Sequence, residues 1–117
     1  MPHTINRNAL IVYPKQELYN WVNDHNPEEN HECPETLGYD DANVYLIPDY
    51  AYPEEAIQHV KEDFLTYFMN EIKDWDSPNT VWPENLSWEL FNQWFHFSVQ
   101  SVVMDTAEDE PMEMEWF

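Results

Sequence analysis

A single glycine, Gly38, serves the whole chain, so no glycine-rich loop can wrap a phosphate. The dinucleotide-binding and P-loop signatures are excluded with it. Cys33 is the sole cysteine: no disulfide can close within the chain, and no Cys-x-x-Cys step exists to hold a structural zinc. Positive charge is equally scarce. Arg7, Lys15, Lys61 and Lys73 stand against twenty-four acids, a formal net charge of −20. Such a body repels phosphates, and four scattered bases cannot build the local patch that direct contact with nucleic acid or an anionic membrane would need. No apolar run approaches the ~18 residues of a membrane span, and the opening MPHTINRN lacks the basic start and apolar stretch of a secretory signal. These absences predict a cytoplasmic, soluble protein with no cofactor and no direct contact with nucleic acid or membrane.

Core material is plentiful by contrast. Hydrophobic residues make up 43% of the 117 and aromatics 16%, which argues against a disordered acidic chain. The length suits one globular domain, 1–117. "NALIVY", Asn8 to Tyr13, reads as a buried strand. Pro14 ends it and is suited to open a helix in which Leu18, Trp21, Val22 and His25 recur at helical spacing. Pro27 blocks that helix, and 27–41 carries acids, two prolines and the lone glycine with no period, so a mobile loop is expected. "ANVYLIP", Ala42 to Pro48, repeats the strand signal.

From Pro53 to Trp75 the pattern predicts one long helix with Ile57, Val60, Phe64, Phe68, Ile72 and Trp75 on its buried stripe. Glu54 and Glu55 fall in its first turn, where the helix dipole favours negative charge. Ser87 is placed to cap a third helix from Trp88 to about Trp94, with Leu86 and Phe91 at the spacing of a hydrophobic staple. Alternation from Phe97 to Met104 then marks a strand with one more polar face. The acidic tail 106–117 alternates Met112, Met114 and Trp116 with Glu113 and Glu115, which suits an edge strand, a docked apolar anchor or a frayed end. Together these elements predict an α+β two-layer sandwich: a small mixed three-stranded sheet with about three helices, in the order β-α-β-α-α-β. The link from Pro14 to Asp41 is long enough for a crossover between two parallel strands.

Chemistry-bearing residues are few. His25, His31 and Cys33 sit among acids in 24–41 and could supply soft ligands to a transition metal, although their spacing matches no known ligand pattern. His96 near Ser98, on the more polar face of the last strand, reads first as an exposed strand histidine and second as a candidate acid–base residue. The aromatics of "SWELFNQWFHF" lie at helical spacing and read as core. Trp82 and Trp88 fall off that face; an exposed tryptophan ringed by acids would suit a basic partner.

"NALIVYPK", "VYLIPDY" and "VWPENLSWELFNQWFHFSVQSVVMD" together resemble a group of short acidic bacterial proteins of uncharacterised function. The resemblance covers most of the chain and rests on apolar and aromatic motifs. It implies a small bacterial cytoplasmic domain and brings no catalytic or binding residue with it.

Three functional expectations follow. The first is a non-catalytic binding protein that masks a basic or nucleic-acid-binding surface of a partner protein. Its contacts would be Trp82, Trp88, Glu54, Glu55, Glu62 and Asp63, with Glu71 and Asp74 further along the same helix. The second is a small metal-dependent hydrolase or metal-binding protein using His25, His31 and Cys33. The third is a homodimer sealed through a sheet edge or the tail.

Overall fold

The computed structural model describes residues 3–36, 38, 42–77, 80–107 and 109–115. In chain order the elements are β1 (His3–Thr4), β2 (Arg7–Pro14), α1 (Gln16–His25), β3 (Asn43–Pro48), α2 (Pro53–Glu62), α3 (Phe64–Lys73), α4 (Trp88–Trp94), β4 (Phe95–Gln100) and β5 (Met104–Asp105). Strand β2 is the centre of a three-stranded sheet of order β3-β2-β4, and β1 and β5 form a short separate ribbon. The architecture is α+β, with helices on one face of the main sheet.

Alternation along the strands decides which face that is. Leu10 and Val12 of β2 are fully buried, with Ile47 of β3 and Phe95 of β4 on the same side. Leu18 and Val22 of α1, Ala56 and Val60 of α2, Phe68 and Ile72 of α3, and Phe91 and Trp94 of α4 join them in one cluster. Side chains in a strand point to opposite faces in turn, so the intervening Val44 and Leu46 of β3 point away from that cluster and are exposed.

The sheet is antiparallel throughout, not mixed. Arg7 pairs with Pro48 and Val12 with Asn43, while Ala9 pairs with Gln100 and Pro14 with Phe95. The reason lies in the first link. Ten residues of α1 span about 15 Å, and the link after them delivers the chain to Asn43, which pairs with Val12 near the end of β2. β3 therefore begins where β2 ends. A parallel crossover would have required β3 to start at the far end of the helix.

The connection is fastened to α1 by side chains. Asn23 grips the backbone of His31 at two points, its Nδ2 donating to the carbonyl and its Oδ1 accepting from the amide, each at 2.9 Å. The amide of Cys33 donates to Gln16 Oε1 at 3.0 Å. No helix or strand forms between 27 and 41 among the described residues; Leu37, Tyr39, Asp40 and Asp41 lie outside them.

The expected long helix is two. Asp63 leaves helical geometry at φ −105° and ψ 16°, between α2 and α3. No proline or glycine marks the break, and aspartate is merely a weak helix former. His59 spans it instead, with Nε2 3.0 Å from the Tyr67 hydroxyl and 3.9 Å from Asp63 Oδ2. The kink lets Ala56 and Val60 on one side and Tyr67, Phe68 and Ile72 on the other all reach the core. Ile57, expected on the stripe, is 44% exposed. Pro14 likewise closes β2 and does not open α1, which starts at Gln16.

Helix α4 is capped as its sequence predicts: Ser87 Oγ accepts from Leu90 N at 3.1 Å. Leu86 packs on the core cluster to which Phe91 belongs, the two halves of the staple. Replacing Ser87 by alanine should lower stability by about 1 kcal/mol in urea unfolding, and replacement by glycine by less. The last strand is shorter than the alternation suggests. It spans Phe95–Gln100, and the chain then turns into β5, which pairs with β1 through His3–Asp105 and Thr4–Met104.

Candidate binding surface

Helix α2 begins with Pro53 in its first turn, as the missing N–H of proline allows. Its buried residues, Ala56 and Val60, are four apart, so Glu54, Glu55, Gln58 and Glu62 are turned outward at helical spacing. Together with Tyr50 and His59 these four line one open depression of about 400 Å³. Gln58 Nε2 donates to Glu62 Oε1 at 3.1 Å, which orders one wall. The His59 ring lies 5.5 Å from that of Tyr50 and forms part of the floor. Asp63 is exposed at the kink just beyond. Three of the expected contact residues, Glu54, Glu55 and Glu62, are thus brought onto one surface, with Asp63 adjoining. Burial pushes the Tyr67 phenol up, and the Asp63 carboxylate adds to the rise.

Trp82 and Trp88 do not join them. Trp88 is half-buried, stacked on Phe91 at 5.8 Å and tilted against Phe97 at 5.7 Å. Trp82 packs against the core cluster and donates through Nε1 to Asp76 Oδ1 at 3.0 Å. Neither lines the depression. The crowding of aromatics between 82 and 97 is core and its margin.

Glu71 also departs from the expected acidic face. It is 3% exposed, held by Tyr45 Oη at 2.7 Å and by Asn43 Nδ2 at 2.5 Å, both from β3. Asn43 reaches Asp74 as well, at 3.1 Å, and Asn70 Nδ2 donates to the Tyr45 hydroxyl at 2.8 Å. Burial pushes the Glu71 carboxyl above its usual range, and the nearby Asp74 adds to that, while the donors from Tyr45 and Asn43 pull it back. Burial, and donation to Glu71, push the Tyr45 phenol well up. This network fastens α3 to the sheet edge. Its signal is present in the sequence: Glu71 follows Phe68 by three residues and Phe64 by seven, both on the expected stripe, and so shares their face.

No group of three or more His, Cys, Asp or Glu side chains able to hold a metal exists among the described residues. His25 lies against Trp21, with Nδ1 2.8 Å from the Trp21 carbonyl. His31 is paired to Glu29 at 2.9 Å and faces the edge of Trp75 at 5.3 Å. Cys33 instead lines a pocket of about 250 Å³ with His96, Tyr13, Tyr19 and Glu35. His96 is stacked on Tyr13 at 4.9 Å, and the thiol points to the carbonyls of Pro14 and Pro34, each at 3.8 Å. Sequence spacing gave no hint that Cys33 and His96 share a pocket, because the fold brings β4 beside the connection after α1.

No family model, curated protein or solved structure matches this chain. The surface must therefore be read from its own chemistry. Among the described residues, no helix is long and apolar enough to cross a membrane. No lysine or arginine forms an ion pair there either; the acids that pair do so with His31 and His59. Lys15 is committed elsewhere, its Nζ donating to the Asn92 carbonyl at 2.6 Å. Lys61 interrupts the acidic pattern of α2, exposed in its last turn, yet among the described residues it forms no ion pair with the carboxylates of that helix.

Proposed function

We propose that this protein is a non-catalytic acidic binding protein that masks a basic surface of a partner protein, and that the outer face of α2 makes the contact. One observation carries the reading: Glu54, Glu55 and Glu62 line a single open depression, and no lysine or arginine among the described residues pairs with them. The net charge of −20 acts in the same direction. Individual exposed ion pairs contribute about 0.2–1 kcal/mol each, so affinity comes from several contacts together. The long-range field contributes chiefly to the rate of encounter. The Tyr50 and His59 rings in the depression add flat surface on which an arginine side chain can stack.

Affinity purification at low ionic strength is expected to retain a basic protein that elutes as salt is raised. Recovery of no basic protein, or of one indifferent to salt, would count against the reading.

A further inference from the structure

All four helices of the described chain pack on one face of the main sheet, which leaves the opposite face without a helical layer. On that face Val44 is 62% and Leu46 51% exposed, opposite Ile11 and Ala9 of β2. Beside Leu46 the C-terminal segment passes close to Ile5, and Met112 and Met114 complete an apolar depression of about 560 Å³. Arg7 and Glu113 also line it. Both methionines are more exposed than Leu46, so they are walls of the depression and not part of the core.

The composition of this surface narrows what fits it. Methionine side chains are flexible and polarizable and adapt to varied apolar partners. The same segment carries Asp109, Glu110, Glu113 and Glu115, all exposed, so acid borders the apolar floor. A second copy of this chain would bring another net −20 against that border, and like charge disfavours it. Val44 and Leu46 are two residues apart on a strand, roughly 6–7 Å, close to the ~5.4 Å pitch of a helix. Successive turns of a helix can therefore set apolar side chains on the strip and in the depression.

We infer that this face docks an amphipathic helix of a basic partner, with its apolar stripe on Leu46, Met112 and Met114 and its lysines or arginines towards the acids of 109–115. Arg7 suits the C-terminal carbonyls of that helix, which carry partial negative charge. The inference rests on the partner being basic, as proposed above, but assigns a second surface, on the side of the sheet away from the core.

Three labelled peptides test it by fluorescence anisotropy with the full chain. One is an amphipathic helix of leucine and lysine about 18 residues long, five turns. The second has the same composition scrambled so that no apolar stripe remains, and the third is oligolysine of equal charge. The amphipathic peptide should bind tighter than the scrambled one by on the order of tenfold, as burial of one or two apolar side chains implies. Leu46→Asp, and separately Met112→Ser with Met114→Ser, should abolish that advantage while leaving oligolysine binding within about twofold. These positions are exposed, and an unchanged melting temperature confirms that each variant folds. Equal binding of amphipathic and scrambled peptides would overturn the inference, as would an advantage that survives Leu46→Asp. A dimer in sedimentation that Leu46→Asp dissociates would also overturn it, by giving the face to a second copy. Oligolysine that fails to bind while the amphipathic peptide keeps its advantage would sink the acidic-face reading alone.

Discussion

Replacing Phe91 by alanine is expected to remove about 3–5 kcal/mol of stability, much of the total a domain of this size possesses. Phe91 is fully buried where the aromatic rings converge: Phe68 lies 5.5 Å away, Phe95 5.4 Å and Trp88 5.8 Å between centroids. It joins α4 to α3 and to the start of β4, so truncation opens a cavity that no single neighbour can fill. Urea unfolding of the variant should show a midpoint shifted far down or a chain already unfolded in buffer. His96→Ala, an exposed strand position that loses only its stacking on Tyr13, should cost no more than about 1.5 kcal/mol. A mild effect of Phe91→Ala would mean that the aromatic cluster is loosely packed and leave its tryptophans free for another role.

The second large effect is electrostatic. At pH 7 the melting temperature should rise as salt increases from 0.01 to 0.1 M, because the Debye length falls from ~30 to ~10 Å and screens the repulsion among the acids. Mild acidification towards pH 5 should raise it again. Glu71 supplies a located contribution of that sign. Its folded-state carboxyl is raised by burial, so below its folded value the native protein holds a proton that the unfolded chain releases. Stability therefore grows as pH falls through the raised value towards the ordinary glutamate range, and is lost as pH rises back through it. Glu71→Gln keeps an acceptor for Tyr45 and should flatten this part of the profile. Tyr45, also raised, acts with the same sign at alkaline pH: stability declines once the unfolded phenol ionises and the folded one does not. A melting temperature indifferent to both salt and pH would show that the acids do not repel one another across the folded surface.

Much of this fold is legible in the residues themselves. Branched apolar runs bounded by proline mark β2 and β3, and the spacing of Leu18 and Val22 marks α1. The serine before Trp88 marks the start of α4. Each of these signals is local, and local physics suffices to read it. What escaped is decided by tertiary contacts. Strand direction depends on which end of β2 receives Asn43, which no period encodes. The break at Asp63 goes with His59 meeting Tyr67 across it, a contact that no period encodes.

The candidate surface was partly legible for the same reason. Helical spacing places Glu54, Glu55 and Glu62 on one face from sequence alone. Glu71 belongs to the buried face by that very rule, but the excess of acids concealed it. Trp82 and Trp88 misled because an aromatic off the main stripe can still close the margin of a core when Phe64 or Asp76 receives it.

The most direct test of the central claim compares the native chain with the triple variant Glu54→Gln, Glu55→Gln, Glu62→Gln against the basic partner recovered at low salt. Association rates are measured at rising ionic strength. The substitutions lie on an exposed helix face and should leave the melting temperature within a few degrees or raise it slightly. The account predicts that the variant associates more slowly at low salt, by on the order of tenfold, and that the gap closes as salt screens the field. Equal rates for both chains at every salt concentration would contradict it, and would place the contact elsewhere than on α2.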